Sequence, residues 1–170
     1  MAVNPPPLPV RPFTDPYLLA FSGEHVAYEI DMFFGMVEVL TQSSLIGASS
    51  AAAAARLKNA LIEAFVIHLR NLIDFLYLDR PQPNDVVAAD FCGACIWEAQ
   101  RPPITSSLDA ARVRANKEIA HLTSQRIAGT PPEKAWEPSA LAAEIRPLLR
   151  LFVTKAASVR LSPNVAAAIR

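Results

Sequence analysis

Arg114 and His121 are the two side chains of this sequence whose types and spacing best suit a reaction. An arginine guanidinium is a fixed positive fork that fits a phosphate, and a histidine exchanges a proton near neutral pH. Seven residues make about two helical turns, so the pair falls nearly in line, about 10 Å apart along the axis. Such a pair suits cleavage of RNA without a metal ion. His121 would move a proton at the 2′-hydroxyl or at the leaving 5′-oxygen, and Arg114 would hold the scissile phosphate and stabilise its developing charge. One helix supplies one acid–base group, and two-fold pairing of two copies would supply the second. Lys117 flanks the line between the pair, while Asn116 lies elsewhere on the circumference, placed to orient backbone or pin a neighbouring helix.

Other chemistries lack their residues. No acidic pair makes a convincing glycosidase dyad, and there is no nucleophile elbow or zinc-binding helix motif. Five glycines leave no phosphate-cradling loop. Cys92-x-x-Cys95 has the spacing of a metal half-site or redox pair but no second pair to complete a framework, so two small apolar residues in a packed loop is the better reading. His25 reads as a surface or capping residue and His68 as a packed, hydrogen-bonded one. Arg70, Asn71 and Asp74 lie off the apolar face of their helix. Arg70 and Asp74 form an i,i+4 pair, and the alternative role for Arg70 and Asn71 is to line an interface or cleft. Neither a metal nor a cofactor is expected.

The elements that must position Arg114 and His121 are helices. The 170-residue chain is 52% hydrophobic, enough for one domain with a sizeable core, and it is rich in alanine. Sixteen basic and sixteen acidic residues cancel, so any nucleic-acid contact has to be local rather than a basic coat. No signal peptide is evident, charges interrupt every stretch long enough to cross a bilayer, and the expected compartment is the cytoplasm.

Pro5, Pro6, Pro7, Pro9, Pro12 and Pro16 make residues 1–21 a Pro-rich arm. A helical bundle domain follows over 22–161, and 162–170 reads as a frayed tail. Within the domain, Ser22 is placed to cap a helix over 23–43. Ser49 or Ser50 precedes the longest helix, 51–78, with Leu57, Leu61, Ile62, Phe65, Leu69, Leu72, Ile73 and Leu76 as one broad apolar face. A short helical turn at 85–89, capped by Asn84, leads to an irregular excursion over 90–105. The Arg114 helix spans 106–127, capped by Ser106 or Ser107, and its core stripe is Leu108, Ala111, Ala115, Ile119 and Leu122. Ser139 begins the last long helix, which Pro147 should kink or divide. The expected fold is an all-α bundle of four to five helices.

The run Arg112-Val-Arg-Ala-Asn-Lys-Glu-Ile-Ala-His121 resembles the signature of the HEPN superfamily (higher eukaryotes and prokaryotes nucleotide-binding). That signature is an arginine, four to six residues, then a histidine; Arg114 and His121 match it with six between. Asn116-Lys117 followed by Ala120-His121-Leu122-Thr123 is similar to the ending found in abortive-infection families, and His68-Leu-Arg-Asn-Leu-Ile-Asp-Phe75 resembles their second helix. The resemblance implies an all-helical HEPN-like homodimer whose two motifs face each other across a cleft. Active members are metal-independent ribonucleases of toxin–antitoxin, abortive-infection and CRISPR-associated systems, which implies RNA as substrate and an antitoxin or nucleotidyltransferase-like protein as partner. Other members are non-catalytic and bind RNA, nucleotides or protein. Ala115 follows Arg114 where a polar residue is usual, and Asn116 comes one position later.

Overall fold

A computed structural model of the chain describes residues 13–42, 50–92, 97–118 and 135–170. The elements among them are α1 (Asp15–Phe21), a π-helical stretch (Ser22–Val26), α2 (Ala27–Thr41), α3 (Ala51–Tyr77), α4 (Ala88–Phe91), α5 (Trp97–Gln100), α6 (Ser106–Glu118), α7 (Pro138–Lys155) and α8 (Pro163–Ala168). The described residues contain no strand, as the alanine-rich composition and the helical periodicity imply.

α3 is the spine. Ser50 caps it by accepting the Ala53 N–H at 3.2 Å, and the alanine run that follows is a strong helix former. Its buried residues all fall in the C-terminal half, from Phe65 to Tyr77. The broad apolar face read from the sequence is therefore only partly used as core: Leu57 is 44% exposed. α2, α6, α7 and α4 pack against this half. Two aromatic groups fill the space. Phe75, Phe91 and Trp97 surround Phe152 of α7, with ring centroids 5.1–6.0 Å from it and near-perpendicular planes. Phe33 of α2 stacks on Phe65, at 5.4 Å, and Trp136 meets Phe65 edge-on.

The excursion over 90–105 is more regular than its sequence suggests. Among its described residues, α5 forms a single helical turn that buries Trp97 and aims its indole N–H at the Leu76 carbonyl, 2.8 Å away. Arg101 donates to the same carbonyl and lies over the Tyr77 ring. Together they satisfy an oxygen at the C-terminal end of α3, where intrahelical donors run out. The short turn ahead of it, α4, starts three residues later than expected. Asp90, accepting the Val87 N–H at 2.8 Å, holds its N-terminus in place of Asn84.

The first and last described segments are drawn into the bundle. α1, the π-helical stretch and α2 follow one another without leaving helical backbone, so helix begins at Asp15 rather than near 23. Thr14 caps it, and Pro16 sits in the first turn, where its missing N–H costs nothing. Of the proposed arm, residues 1–12 lie outside the described residues, while 15–21 are helical and bury Leu18. The segment 162–170, read as a frayed tail, carries α8, whose Val165 is fully buried against the π-helical stretch, α2 and α7. Arg170 pairs with Asp31 and Glu38 on α2. α7 runs through Pro147 as one helix. Its first turn is opened by Pro138, with no side-chain cap from Ser139.

Ser22 is not a helix cap. It is fully buried inside the helical run, where its hydroxyl accepts the Ser162 N–H at 2.9 Å and has the Leu19 and Arg160 carbonyls as acceptors. Gly23 makes the approach possible: a Cβ there would stand 3.0 Å from Ser162 Oγ. Ser22→Ala would leave the Ser162 N–H without its partner. It is expected to cost about 1–3 kcal/mol in urea denaturation, and an unchanged midpoint would show that the clasp adds nothing.

Candidate functional site

α6 is built to present Arg114 at the edge of the core. Thr105 caps it, accepting the Leu108 N–H at 3.2 Å; of the two residues expected to cap, Ser106 is already the first helical residue and Ser107 donates to Glu144 of α7. Leu108, Ala111 and Ala115 form the buried stripe against α3, as their spacing implies. Ala115 is therefore a packing residue, and the small side chain lets α6 approach α3 closely.

Arg114 is half-buried on the flank of that stripe. Its guanidinium lies over the Trp136 ring, 4.1 Å from the centroid, and Nη1 donates to the Ala135 carbonyl at 3.1 Å. Trp136 rests on Phe65, and Phe65 on Phe33, so a chain of aromatic contacts fixes the guanidinium plane from the α2–α3 core outward. A planar cation held this way keeps a fixed orientation with little conformational freedom left to lose. Asn116 and Lys117 are exposed on the last turn of the described helix. His121 lies outside the described residues, as do Ile119 and Leu122.

The supporting pair on α3 is divided between two seams. Asn71 turns toward α2, where Nδ2 donates to Glu29 Oε2 at 3.1 Å. Arg70 stands 3.5 Å from the Asp74 carboxylate, an i,i+4 pair. That contact is an ion pair only, since Arg70 Nε is buried and makes no hydrogen bond. Asp74 also feels Arg112 of α6, which itself pairs with Asp109 at 2.8 Å. Burial raises the Asp74 carboxyl above the ordinary 3.8 despite the pull of both arginines. Arg70, Asp74 and Arg112 thus make a partly desolvated charge cluster near the α3–α6 seam.

The second seam holds a polar group that pattern reading does not single out. Glu29 Oε2 receives His68 Nδ1 at 2.8 Å beside the Asn71 amide. His68 is buried and hydrogen-bonded, in keeping with its place at the edge of the apolar face, and the Tyr28 ring stands edge-on to it. The local signal was the i,i+3 spacing of His68 and Asn71; their acceptor, 39 positions before His68 and 42 before Asn71, is a tertiary fact. His25, on the π-helical stretch, is exposed with its ring against Phe21. Cys92 is buried, consistent with packing, and Cys95 lies outside the described residues.

Compared with protein-family models, with characterised proteins and with solved structures, the chain matches none.

Arg114→Lys keeps the charge at the α6 flank and loses the flat stack. It is expected to lower stability by about 1 kcal/mol in chemical denaturation, and no loss would show that Trp136 does not hold the guanidinium.

Proposed function

We propose that the chain is a HEPN-like protein acting as a metal-independent endoribonuclease of a toxin–antitoxin or defence system, with its site composed from two copies. The observation that carries this reading is the spacing of Arg114 and His121 in the sequence, with Asn116-Lys117 and Ala120 between them, Arg114 lying on a helix that packs on the α3 spine. The fixed guanidinium of Arg114 supports it, because transition-state stabilisation gains most from groups that need not reorganise.

The reaction is an internal displacement. His121 of one copy takes the 2′-hydroxyl proton, and the 2′-oxygen forms a bond to phosphorus as the P–O5′ bond breaks. His121 of the partner subunit returns a proton to the leaving 5′-oxygen, giving a 2′,3′-cyclic phosphate and a 5′-hydroxyl. Arg114 bears the charge that gathers on the non-bridging oxygens. Lys117, Asn116, Arg70 and Asn71 are supporting groups in this reading. An antitoxin or nucleotidyltransferase-like protein is the partner class.

One observation favours a second reading. The Arg114 stack on Trp136 and its bond to Ala135 are structural work, and Ala115 serves packing; a non-catalytic HEPN-like dimer that binds RNA, nucleotide or protein would keep both.

Purified protein is to be incubated with mixed RNA in chelator, beside His121→Ala and Arg114→Ala. The ribonuclease reading expects cleavage to cyclic-phosphate ends by the wild type and a loss of about 100-fold or more in each variant. Equal cleavage by all three proteins rules the mechanism out. Saturable RNA binding without cleavage selects the second reading.

A further inference from the structure

A cavity of about 330 Å³ opens beside the α2–α3 seam, between the π-helical stretch and the loop before α4. Its size falls at the small end of ligand sites. Phe21, Leu72, Phe75 and Val86 give it apolar walls, and Glu29, Asn71 and His25 supply the polar groups.

The carboxylate of Glu29 is positioned rather than merely present. His68 and Asn71 both bond its Oε2, which fixes the carboxylate plane, while Oε1 accepts no bond from the described residues. Neither lysine nor arginine lines the cavity, and the carboxylate's partners are His68 and the neutral Asn71 amide. The residues that bond Oε2 come from α3 and the carboxylate from α2, so the arrangement costs two helices their freedom. Among the described residues no three His, Cys, Asp or Glu side chains cluster as a metal ion would need. The polar end suits an organic cation: one oriented carboxylate oxygen in a cavity whose walls include two phenyl rings.

The backbone supplies an independent observation. The wall bearing His25 and Val26 is π-helical, a wide turn that is uncommon within helices and frequent at functional sites. It is held against the C-terminal segment by Ser22, whose hydroxyl accepts the Ser162 N–H.

We propose that this cavity binds a small organic ammonium ion, its charged head received by Glu29 Oε1 and its apolar body lying against Phe21, Leu72 and Phe75. Arg114 is not among the lining residues, Asn71 is shared with the supporting groups named above, and ammonium binding at Glu29 does not depend on the ribonuclease reading.

Benzylammonium is the probe, titrated into the full chain at neutral pH and followed by calorimetry, with benzyl alcohol and benzoate as neutral and anionic counterparts. Expected are saturable one-site binding of benzylammonium, binding at least about tenfold weaker for benzyl alcohol, and none for benzoate. Glu29→Gln, which keeps the shape and removes the charge, should weaken benzylammonium by about tenfold or more. Val86→Trp, which leaves the carboxylate intact and fills the space, should abolish binding while the thermal melt stays cooperative. The proposal is overturned by absence of saturable binding to the folded wild type, by equal binding of benzylammonium and benzyl alcohol, or by undiminished binding to folded Val86→Trp. If Glu29→Gln does not fold, the alcohol comparison and Val86→Trp decide.

Discussion

The burial of Phe65 to Tyr77 is the constraint on which the rest of the structure depends. This half of α3 is apolar enough to require cover on several sides, and α2, α4, α6 and α7 each supply a part. Its C-terminal end would otherwise leave carbonyls without donors in an apolar setting. Trp97 and Arg101 meet the Leu76 oxygen there and close the helix, and Trp97 also packs edge-on against Phe152. Removing an aromatic side chain from such a cluster costs about 3–5 kcal/mol, a large part of a domain's total stability.

Every polar group of interest is referred to this spine. His68 and Asn71 leave it toward α2 and converge on Glu29. Arg70 and Asp74 leave it at other angles, and Asp74 comes under the influence of Arg112 on α6. Arg114 is tied to it indirectly, through Trp136 and Phe65. A rigid apolar helix thus orients two chemically different surroundings, a carboxylate beside an apolar cavity and an arginine stacked at the edge of the core. The carboxylate is positioned by two packed helices, whereas Arg114 is held by Ala135 and Trp136 in the segment just before α7.

Local periodicity carried much of the fold. The limits of α3 and the stripe Leu108, Ala111 and Ala115 follow from residue spacing because an amphipathic helix needs no distant information. Ser22 shows where that reasoning ends: a serine before a helical pattern looks like a cap, yet this one lies within a continuous helix and clasps a segment 140 residues away. The tail misled for a related reason, since Val165 is stable as α8 only because α2 and α7 cover it. At the candidate site, Arg114 was legible from residue type and spacing, whereas its Trp136 stack was not. The Glu29–His68–Asn71 group was illegible in the sequence because no local pattern joins α2 to α3.

The central claim is that His121, with Arg114, meets RNA. The chain has three histidines, so their ring signals can be followed individually by NMR after single substitutions assign them. A 2′-O-methyl RNA cannot be cleaved by internal displacement, because its blocked 2′-oxygen cannot attack. On adding it, the account predicts that the His121 ring shifts and changes its titration while His68, bonded to Glu29, is unchanged. RNA binding that leaves the His121 ring and its titration unaltered would contradict the account.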